Sequence, residues 1–219
     1  MVNAEFDEII CFDLDGTLID SNEAHATSYN ESFKKNNLPT FPLKEIISKF
    51  GPPAEKVIKS LIKNISEEKL KQVVADKRNL LIKQTAKLAK PIPGVAEALE
   101  DLSKNFKLVI FSHSTKEEIS ALMSAVKLKK KFFTAILGPE AIHEKPDPDI
   151  IDAVEEKARG KVMWVVGDTT YDIKTGENAE ISTIAVLTGV HSLEVLSKEN
   201  PTIILQSVAL LPEYFKGEL

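Results

Sequence analysis

Cysteine and arginine are scarce in this chain of 219 residues, and a long apolar run is missing. Cys11 is the single cysteine, so an intrachain disulfide is impossible, and its place inside an apolar stretch predicts a buried structural thiol. Arg78 and Arg159 are the two arginines, so an anion site would have to use lysine and backbone N–H groups. No stretch approaches the ~18 apolar residues that a membrane span requires.

Net charge and composition further limit the kinds of binding partner that we expect for this protein. The net charge of −5 at pH 7 provides no basic field, which argues against nucleic acid as the main partner. The first seven residues contain neither a basic region nor a long apolar segment, so no signal peptide is predicted. We therefore expect a cytoplasmic protein with no membrane partner, either a monomer or a homodimer. With 43% hydrophobic and 28% charged residues, the chain can form one substantial core and a smaller insertion.

The most informative segment is residues 9–18, an apolar stretch that ends in two carboxylates and a glycine. Side chains alternate along a strand, so Asp13 and Asp15 share one face. Two acids at the end of a buried strand need a compensating charge, for which a divalent cation is the obvious candidate. Gly16 permits a sharp turn with room for a ligand, and Thr17 adds a hydroxyl. The alternative is a surface loop in which Asp15 and Gly16 form only a turn.

Beyond residue 91, short apolar runs alternate with helical patterns. Strands are predicted over residues 106–112, 134–138, 161–168, 182–186 and 202–205. Helices are predicted over residues 94–104, 115–126, 147–158, 170–178 and 192–198. This alternation indicates an α/β fold, a Rossmann-like, doubly wound parallel sheet covered on both faces. Ligands bind beyond the carboxyl ends of such strands, where Asp13, Ser112 and Asp168 are all expected.

Residues 20–91, which we call the helical insertion, have a different pattern. They contain no convincing strand, and amphipathic helices are predicted over residues 22–37, 43–49, 53–63 and 67–89. The block begins directly after the acidic strand end, which predicts an all-helical domain inserted into the α/β core. A helical bundle of purely structural use is the alternative.

Four segments carry residues suited to phosphoryl transfer. They are residues 13–17 (DLDGT), Ser112, Lys145 within residues 143–148 (HEKPDP), and residues 167–172 (GDTTYD). In order and type they resemble the four motifs of the haloacid dehalogenase superfamily, in its phosphatase and phosphomutase branch, over essentially the whole chain. The last two segments are most similar to the phosphoglycolate phosphatase and β-phosphoglucomutase group. The resemblance implies a catalytic core of residues 1–19 and 92–219, with residues 20–91 as a helical cap.

The same resemblance implies a Mg²⁺-dependent phosphatase that acts on a small phosphorylated metabolite. Asp13 would be the nucleophile that forms an aspartyl-phosphate, and Asp15 would be the general acid and then the general base. Mg²⁺ would be held by the side chains of Asp13 and Asp168 and by the backbone carbonyl of Asp15. Asp172 would orient Lys145 or a water on the metal.

Phosphate contacts are expected from the Ser112 hydroxyl, the N–H of His113 and the Lys145 ammonium, beside Gly16 and Thr17. His113 departs from the asparagine that relatives often carry after the second-motif Ser or Thr, so it is a candidate substrate contact or a neutral packing ring. Each motif residue also has a structural alternative, such as a strand cap or a helix N-cap. For the remaining histidines (His25, His143 and His191) a structural or solvated role is expected.

Substrate choice is expected to lie in the helical insertion. Gly51, in the stretch Phe50–Pro53, and Arg78 resemble cap residues of the same relatives. We favour 2-phosphoglycolate, with a phosphomutase of the β-phosphoglucomutase type and a pyrophosphatase as alternatives. A hydrolytic dehalogenase is disfavoured by Asp15, since dehalogenases of this superfamily lack the second aspartate. A non-enzymatic scaffold is disfavoured because every catalytic position is intact.

Overall fold

The computed structural model of the protein describes residues 7–141 and 143–218. The first six residues of the predicted core therefore lie outside the described residues. Within the described ranges the strands are β1 (Glu8–Phe12), β2 (Ile19–Asp20), β3 (Lys90–Pro91), β4 (Lys107–Phe111), β5 (Phe133–Leu137), β6 (Lys161–Gly167), β7 (Ser182–Val186) and β8 (Ile203–Leu205). The α-helices are α1 (Asn22–Lys35), α2 (Leu43–Ile47), α3 (Ala54–Leu61), α4 (Glu67–Leu80), α5 (Val95–Leu102), α6 (Lys116–Ala125), α7 (Asp149–Ala158), α8 (Thr170–Asn178), α9 (Leu193–Ser197) and α10 (Leu211–Lys216).

The main sheet has the order β5-β4-β1-β6-β7-β8 among the described residues, and all of its neighbours pair in parallel. Helices of the α/β part pack on both faces, so the predicted α/β, Rossmann-like fold is confirmed. The chain fills one side of β1 first and then the other, which places a topological switch point at β1. Such switch points form ligand crevices outside the carboxyl ends of their strands.

The central strand β1 buries both of its faces, as strands inside a parallel sheet do. Ile10 and Phe12 of β1 belong to one apolar cluster, and Ile9 and Cys11 belong to the cluster on the opposite face. All four side chains are fully buried. Burial raises the pKa of the Cys11 thiol far above its ordinary value, as expected for a structural cysteine.

The helical insertion has an apolar core of its own. Its members come from α1 to α4 and are Ala26, Tyr29, Phe33, Ile46, Val57, Ile58, Leu70, Val73 and Val74. Both chain crossings between the insertion and the sheet pass through a short antiparallel ribbon, in which Ile19 pairs with Pro91 and Asp20 with Lys90. These two short strands were not predicted from the sequence, because two residues are too few to show an alternating pattern.

The helix predicted over residues 67–89 is interrupted. It is α-helical only to Leu80, continues as a π-helical turn over Leu81–Thr85 and ends as a 3₁₀ turn over Ala86–Leu88. Leu81 and Ala86 belong to the core of the main sheet and not to that of the insertion. The change of helix type accompanies this change of packing partner, which a single amphipathic pattern does not reveal. None of the helices described within residues 7–141 and 143–218 is long and apolar enough to cross a bilayer.

Candidate active site

A cleft lies where the carboxyl ends of β1, β4 and β6 meet the helical insertion. Asp13 follows β1, Ser112 follows β4 and Asp168 follows β6, and all three line the cleft. Backbone hydrogen bonds continue past the strand ends, from Asp13 N–H to the Val166 carbonyl (2.9 Å) and from Ser112 N–H to the Leu137 carbonyl (3.0 Å). The sheet thus holds these three side chains at neighbouring points of one edge.

Lys145 lies between two carboxylates in this cleft. Its ammonium donates to Asp13 Oδ1 at 2.5 Å and to Asp172 Oδ1 at 2.7 Å, and the residue is only 2% exposed. Burial opposes the charge, but the two carboxylates outweigh it and raise the pKa of Lys145 above its ordinary value. Asp172 is itself held by hydrogen bonds from the backbone N–H and the hydroxyl of Thr169 at the start of α8. Lys145 thus bridges Asp172 and Asp13.

Asp168 is fully buried and both of its carboxylate oxygens are engaged. Oδ1 accepts from the Thr17 hydroxyl at 2.9 Å, and Oδ2 accepts from the Val190 N–H at 2.8 Å. Thr17 is buried behind the cleft wall, so its hydroxyl positions Asp168, whereas the sequence predicts a phosphate contact. A Cβ on Gly16, whose φ is +91°, would lie 2.7 Å from Asp168 Oδ2. The Asp168 carboxylate therefore lies against Gly16, which does not itself line the cleft.

The Asp15 carboxylate is held by hydrogen bonds from serine hydroxyl groups and a histidine. Ser21 donates to Oδ1 at 2.6 Å, Ser114 donates to Oδ2 at 2.7 Å, and His25 Nε2 lies 2.9 Å from Oδ1. Ser112 contacts Oδ2 weakly, at 3.5 Å. Burial alone raises the pKa of Asp15, but its pairing with His25 and the two hydroxyl bonds outweigh burial and hold that pKa below the usual range.

A buried polar chain continues from Asp15 through the insertion and back to the core. His25 Nδ1 lies 3.0 Å from the Lys77 ammonium, and the same ammonium donates to Glu118 Oε1 at 2.8 Å. An ammonium can only donate, so Nδ1 accepts and Nε2 carries the proton that His25 donates to Asp15. Lys77 and Glu118 are 4% and 1% exposed. This chain joins α1 and α4 of the insertion to α6 of the core.

This buried series of polar side chains was not predicted from the sequence, although two signals in the sequence point to it. Lys77 falls in the apolar stripe of α4 with Leu70 and Val73, an unusual place for a lysine without a partner. Glu118 stands three residues after Thr115, the spacing of a capping box, and the structure contains that box. His25, for which a structural or solvated role was expected, lines the cleft and contacts Asp15.

The other two histidines, His143 and His191, contact residues of the α/β part of the protein. The His143 side chain is 63% exposed and lies 3.5 Å from the Asp147 carboxylate. His191 Nδ1 accepts the backbone N–H of Thr170, at the first residue of α8.

Residues of the insertion form the opposite wall of the cleft. Gly51 and Arg78 both line it, as does Phe50. Gly51 has a φ of +119°, a left-handed conformation that favours glycine. The Arg78 guanidinium is 3.7 Å from Glu55, beyond hydrogen-bond distance, and the two side chains are 36% and 45% exposed. Both predicted insertion residues thus face the same space as Asp13.

His113 connects the two walls of the cleft. Its Nδ1 lies 3.1 Å from the Gly51 carbonyl oxygen, and its Nε2 accepts the backbone N–H of Lys145 at 3.1 Å. Burial and the nearby Lys145 charge lower the pKa of His113 to about 4.

The carboxylates outnumber the cations around Asp13. Burial raises the pKa of Asp13 well above its ordinary value, and the charges of Asp172, Asp168 and Asp15 add to this effect while Lys145 opposes it. Burial and the charge of Asp172 likewise raise the pKa of Asp168 to about 7. Among residues 7–141 and 143–218, no three His, Cys, Asp or Glu side chains form a metal-binding group. Asp13 and Asp168 both line the cleft, and carboxylate oxygens are hard donors that suit a divalent cation.

Comparison with known proteins agrees with this geometry. The model of the haloacid dehalogenase-like hydrolase family matches residues 10–186. The chain belongs to this family. Haloacid dehalogenase-like hydrolases of known structure share its fold. A family member from Streptococcus pneumoniae superposes with a TM-score of 0.81 at 24% identity, covering 94% of this chain and 97% of that one. A hydrolase from Pseudomonas syringae has a TM-score of 0.82 at 23% identity, with coverages of 96% and 98%.

Relatives in this hydrolase family carry two different substrate names. The pyrophosphatase PpaX of Oceanobacillus iheyensis is 29% identical over 202 residues, covering 91% of this chain and 92% of the relative. The phosphoglycolate phosphatase of Aquifex aeolicus is 29% identical over 190 residues, with coverages of 83% and 85%. Because both relatives are 29% identical to this chain, sequence identity does not distinguish between the two substrates in their names, pyrophosphate and phosphoglycolate.

Proposed function

We propose that the protein is a Mg²⁺-dependent phosphatase that hydrolyses a small phosphomonoester through an aspartyl-phosphate. The observation that carries the proposal is the contact of Lys145 with Asp13 at the end of β1, in a cleft that Asp15 and Asp168 also line. An ammonium beside the attacking carboxylate can hold a phosphate dianion against it. Ser112 and the backbone N–H of His113 are the proposed donors to the other phosphate oxygens.

In the first step an Asp13 carboxylate oxygen attacks phosphorus, and the bond from phosphorus to the ester oxygen breaks. Asp15 donates a proton to that leaving oxygen. In the second step Asp15 takes a proton from a water molecule, which attacks phosphorus and breaks the bond to Asp13, releasing inorganic phosphate. Asp15 is ionised in the free protein, and a phosphate dianion bound beside it favours the protonated form that the first step requires.

Mg²⁺ would be held by Asp13, Asp168 and the backbone carbonyl of Asp15, and when bound it would neutralise the charge that gathers on the transferring phosphoryl group. Thr17 and the Val190 N–H fix the carboxylate of Asp168 toward this position. The excess of buried carboxylates supports the proposal, since burial first, and then the neighbouring negative charges that Lys145 only partly offsets, raise the pKa values of Asp13 and Asp168.

The helical insertion is proposed to act as a cap that closes over the substrate. The two-residue strands β2 and β3 carry both chain crossings and are the proposed hinge. Closure would exclude bulk water from the aspartyl-phosphate and bring Gly51 and Arg78 to the leaving group. The substrate should therefore be small, and a phosphorylated protein should be a poor one.

We favour a leaving group that carries its own negative charge. Two of the three Lys77 donors are used by His25 and Glu118, whereas Arg78 faces the cleft beyond hydrogen-bond distance of Glu55. Both 2-phosphoglycolate and pyrophosphate have such a leaving group. The alkoxide of glycolate needs protonation more than phosphate does, and the donors around Asp15 position it for that task, so 2-phosphoglycolate is preferred and pyrophosphate is the runner-up.

Phosphate release from a panel of substrates tests the proposal. Purified protein with Mg²⁺ is assayed on 2-phosphoglycolate, pyrophosphate, glucose phosphates and nucleoside monophosphates, and kcat/KM is compared. The substrate assignment fails if 2-phosphoglycolate ranks below two of the others. It also fails if Arg78→Ala leaves the ranking unchanged, since Arg78 is the proposed partner of the leaving-group charge. Lys87→Ala, at an exposed position of the insertion, is the matched control.

A further inference from the structure

His113 contacts two loops that the proposed reaction must bring together. On one side is the loop Phe50–Pro53 of the helical insertion, reached through the Gly51 carbonyl oxygen at 3.1 Å. On the other side is the loop that carries Lys145, reached through the Lys145 backbone N–H at 3.1 Å. A single imidazole ring therefore spans from the insertion to the loop of the proposed phosphate-binding lysine.

The tautomer of His113 follows from these two contacts. A backbone N–H can only donate, so Nε2 is unprotonated and accepts from Lys145. Nδ1 then carries the proton and donates it to the Gly51 carbonyl. The ring is neutral in this arrangement, and both of its nitrogens are used. A second insertion-to-core contact nearby, the ion pair of Lys56 with Glu144, is exposed, and exposed ion pairs contribute little.

The loop that His113 holds has little freedom at this point. A Cβ on Gly51 would lie 3.1 Å from Cδ2 of Tyr171, so the Gly51 backbone rests on that ring. The Tyr171 ring meets the His113 ring edge-on, with centroids 6.5 Å apart. On the other side of the loop, Phe50 packs 6.2 Å from the His25 ring. The loop is thus seated between the core and the polar chain that ends at Asp15.

We propose that His113 is a positioning residue that latches the Phe50–Pro53 loop to the Lys145 loop, so that closing the cleft and placing Lys145 occur together. The inference rests on the proposed function, because it assumes that Lys145 binds the substrate phosphate. The hydrogen bond to the Gly51 carbonyl holds the Phe50–Pro53 loop in place, and its loss should weaken substrate binding. The hydrogen bond from the Lys145 N–H holds the Lys145 loop in place, and its loss should slow turnover.

Two substitutions separate the two bonds. The amide nitrogen of asparagine occupies about the position of Nδ1, so His113→Asn keeps a donor to Gly51 and loses the acceptor for Lys145. The amide oxygen of glutamine reaches about the position of Nε2, so His113→Gln keeps the acceptor for Lys145 and loses the donor to Gly51. His143→Asn is the matched control, since the His143 side chain is 63% exposed.

Hydrogen–deuterium exchange of the free protein and steady-state kinetics provide the readouts. For His113→Gln we expect faster exchange in residues 50–61. We also expect KM to rise about fivefold, because that is the size of effect expected from the loss of one neutral hydrogen bond. For His113→Asn we expect faster exchange of the Lys145 amide and a kcat lowered by about the same factor. His143→Asn should match the wild type in both measurements.

The latch is refuted if both variants loosen both loops equally, or if neither differs from His143→Asn in exchange. The exchange measurement needs no turnover, so it tests the latch even if the wild type hydrolyses none of the substrates above. An active wild type with unchanged exchange in both variants would leave the phosphatase proposal standing and remove the latch alone.

Discussion

Lys77→Met removes the positive charge from a buried ion pair while keeping most of the side-chain length. Lys77 and Glu118 are 4% and 1% exposed, and their charged atoms are 2.8 Å apart. After the substitution Glu118 keeps its hydrogen bond from the Thr115 N–H but faces no ammonium. Removing one partner of a buried pair costs about 3–5 kcal/mol, because the remaining charge is left without compensation. We expect the free energy of unfolding at pH 7 to fall by about that amount.

The pH dependence of this loss has a definite sign. Burial raises the pKa of Glu118, but the Lys77 charge outweighs it and lowers that pKa below its ordinary value. In the wild type the pair therefore contributes stability that is present above the unfolded pKa of about 4.3 and lost as the pH falls through the lower folded value. In Lys77→Met burial is no longer outweighed by the Lys77 charge, so the pKa of Glu118 rises even though the Thr115 N–H bond remains. The stability deficit should then be largest at neutral pH and should shrink toward about pH 5.

Urea unfolding, followed by the fluorescence of Trp164, the only tryptophan, measures the effect. In a double-mutant cycle, Lys77→Met combined with Glu118→Gln should be more stable than the sum of the single variants predicts, by about 1.5 kcal/mol or more. Lys59→Met is the control, because its exposed pair with Glu67 should cost less than about 1 kcal/mol. A deficit for Lys77→Met below that of the control, or one that grows on acidification, would refute the reasoning.

The remaining predictions concern the proposed chemistry. Asp13→Asn should abolish phosphate release while circular dichroism remains unchanged, because an amide cannot attack phosphorus; near wild-type turnover would exclude Asp13 as the nucleophile. Activity should vanish in chelator and return with Mg²⁺, and Asp168→Ala should raise the Mg²⁺ concentration needed for half activity; full activity after metal stripping would contradict the mechanism. Lys145→Ala should lower kcat/KM at least about tenfold, the loss of a charge-assisted contact to phosphate. An effect no larger than that of Lys198→Ala, at an exposed site, would place Lys145 outside the reaction.

Much of the α/β fold could be read from the sequence because its signals are local. Strands β6 and β7 begin at the residues predicted, and α8 has the predicted bounds. The short apolar runs and the helices between them are sufficient to indicate a parallel sheet. The long helix of residues 67–89 was predicted as one element, since its periodicity continues past Leu80. What ends it is a change of packing partner, which no local pattern records.

The sequence by itself determined which side chains stand at strand ends, because a hydrophobic run followed by Asp13 or Asp168 is visible without a structure. Only the tertiary structure decided the strand order, which makes β1 the neighbour of both β4 and β6. Only the tertiary structure joined Asp15 to Glu118 through His25 and Lys77, four residues that extend along the chain from position 15 to position 118. Contacts between distant segments depend on how whole elements pack, and burial then forces their charged groups to find partners.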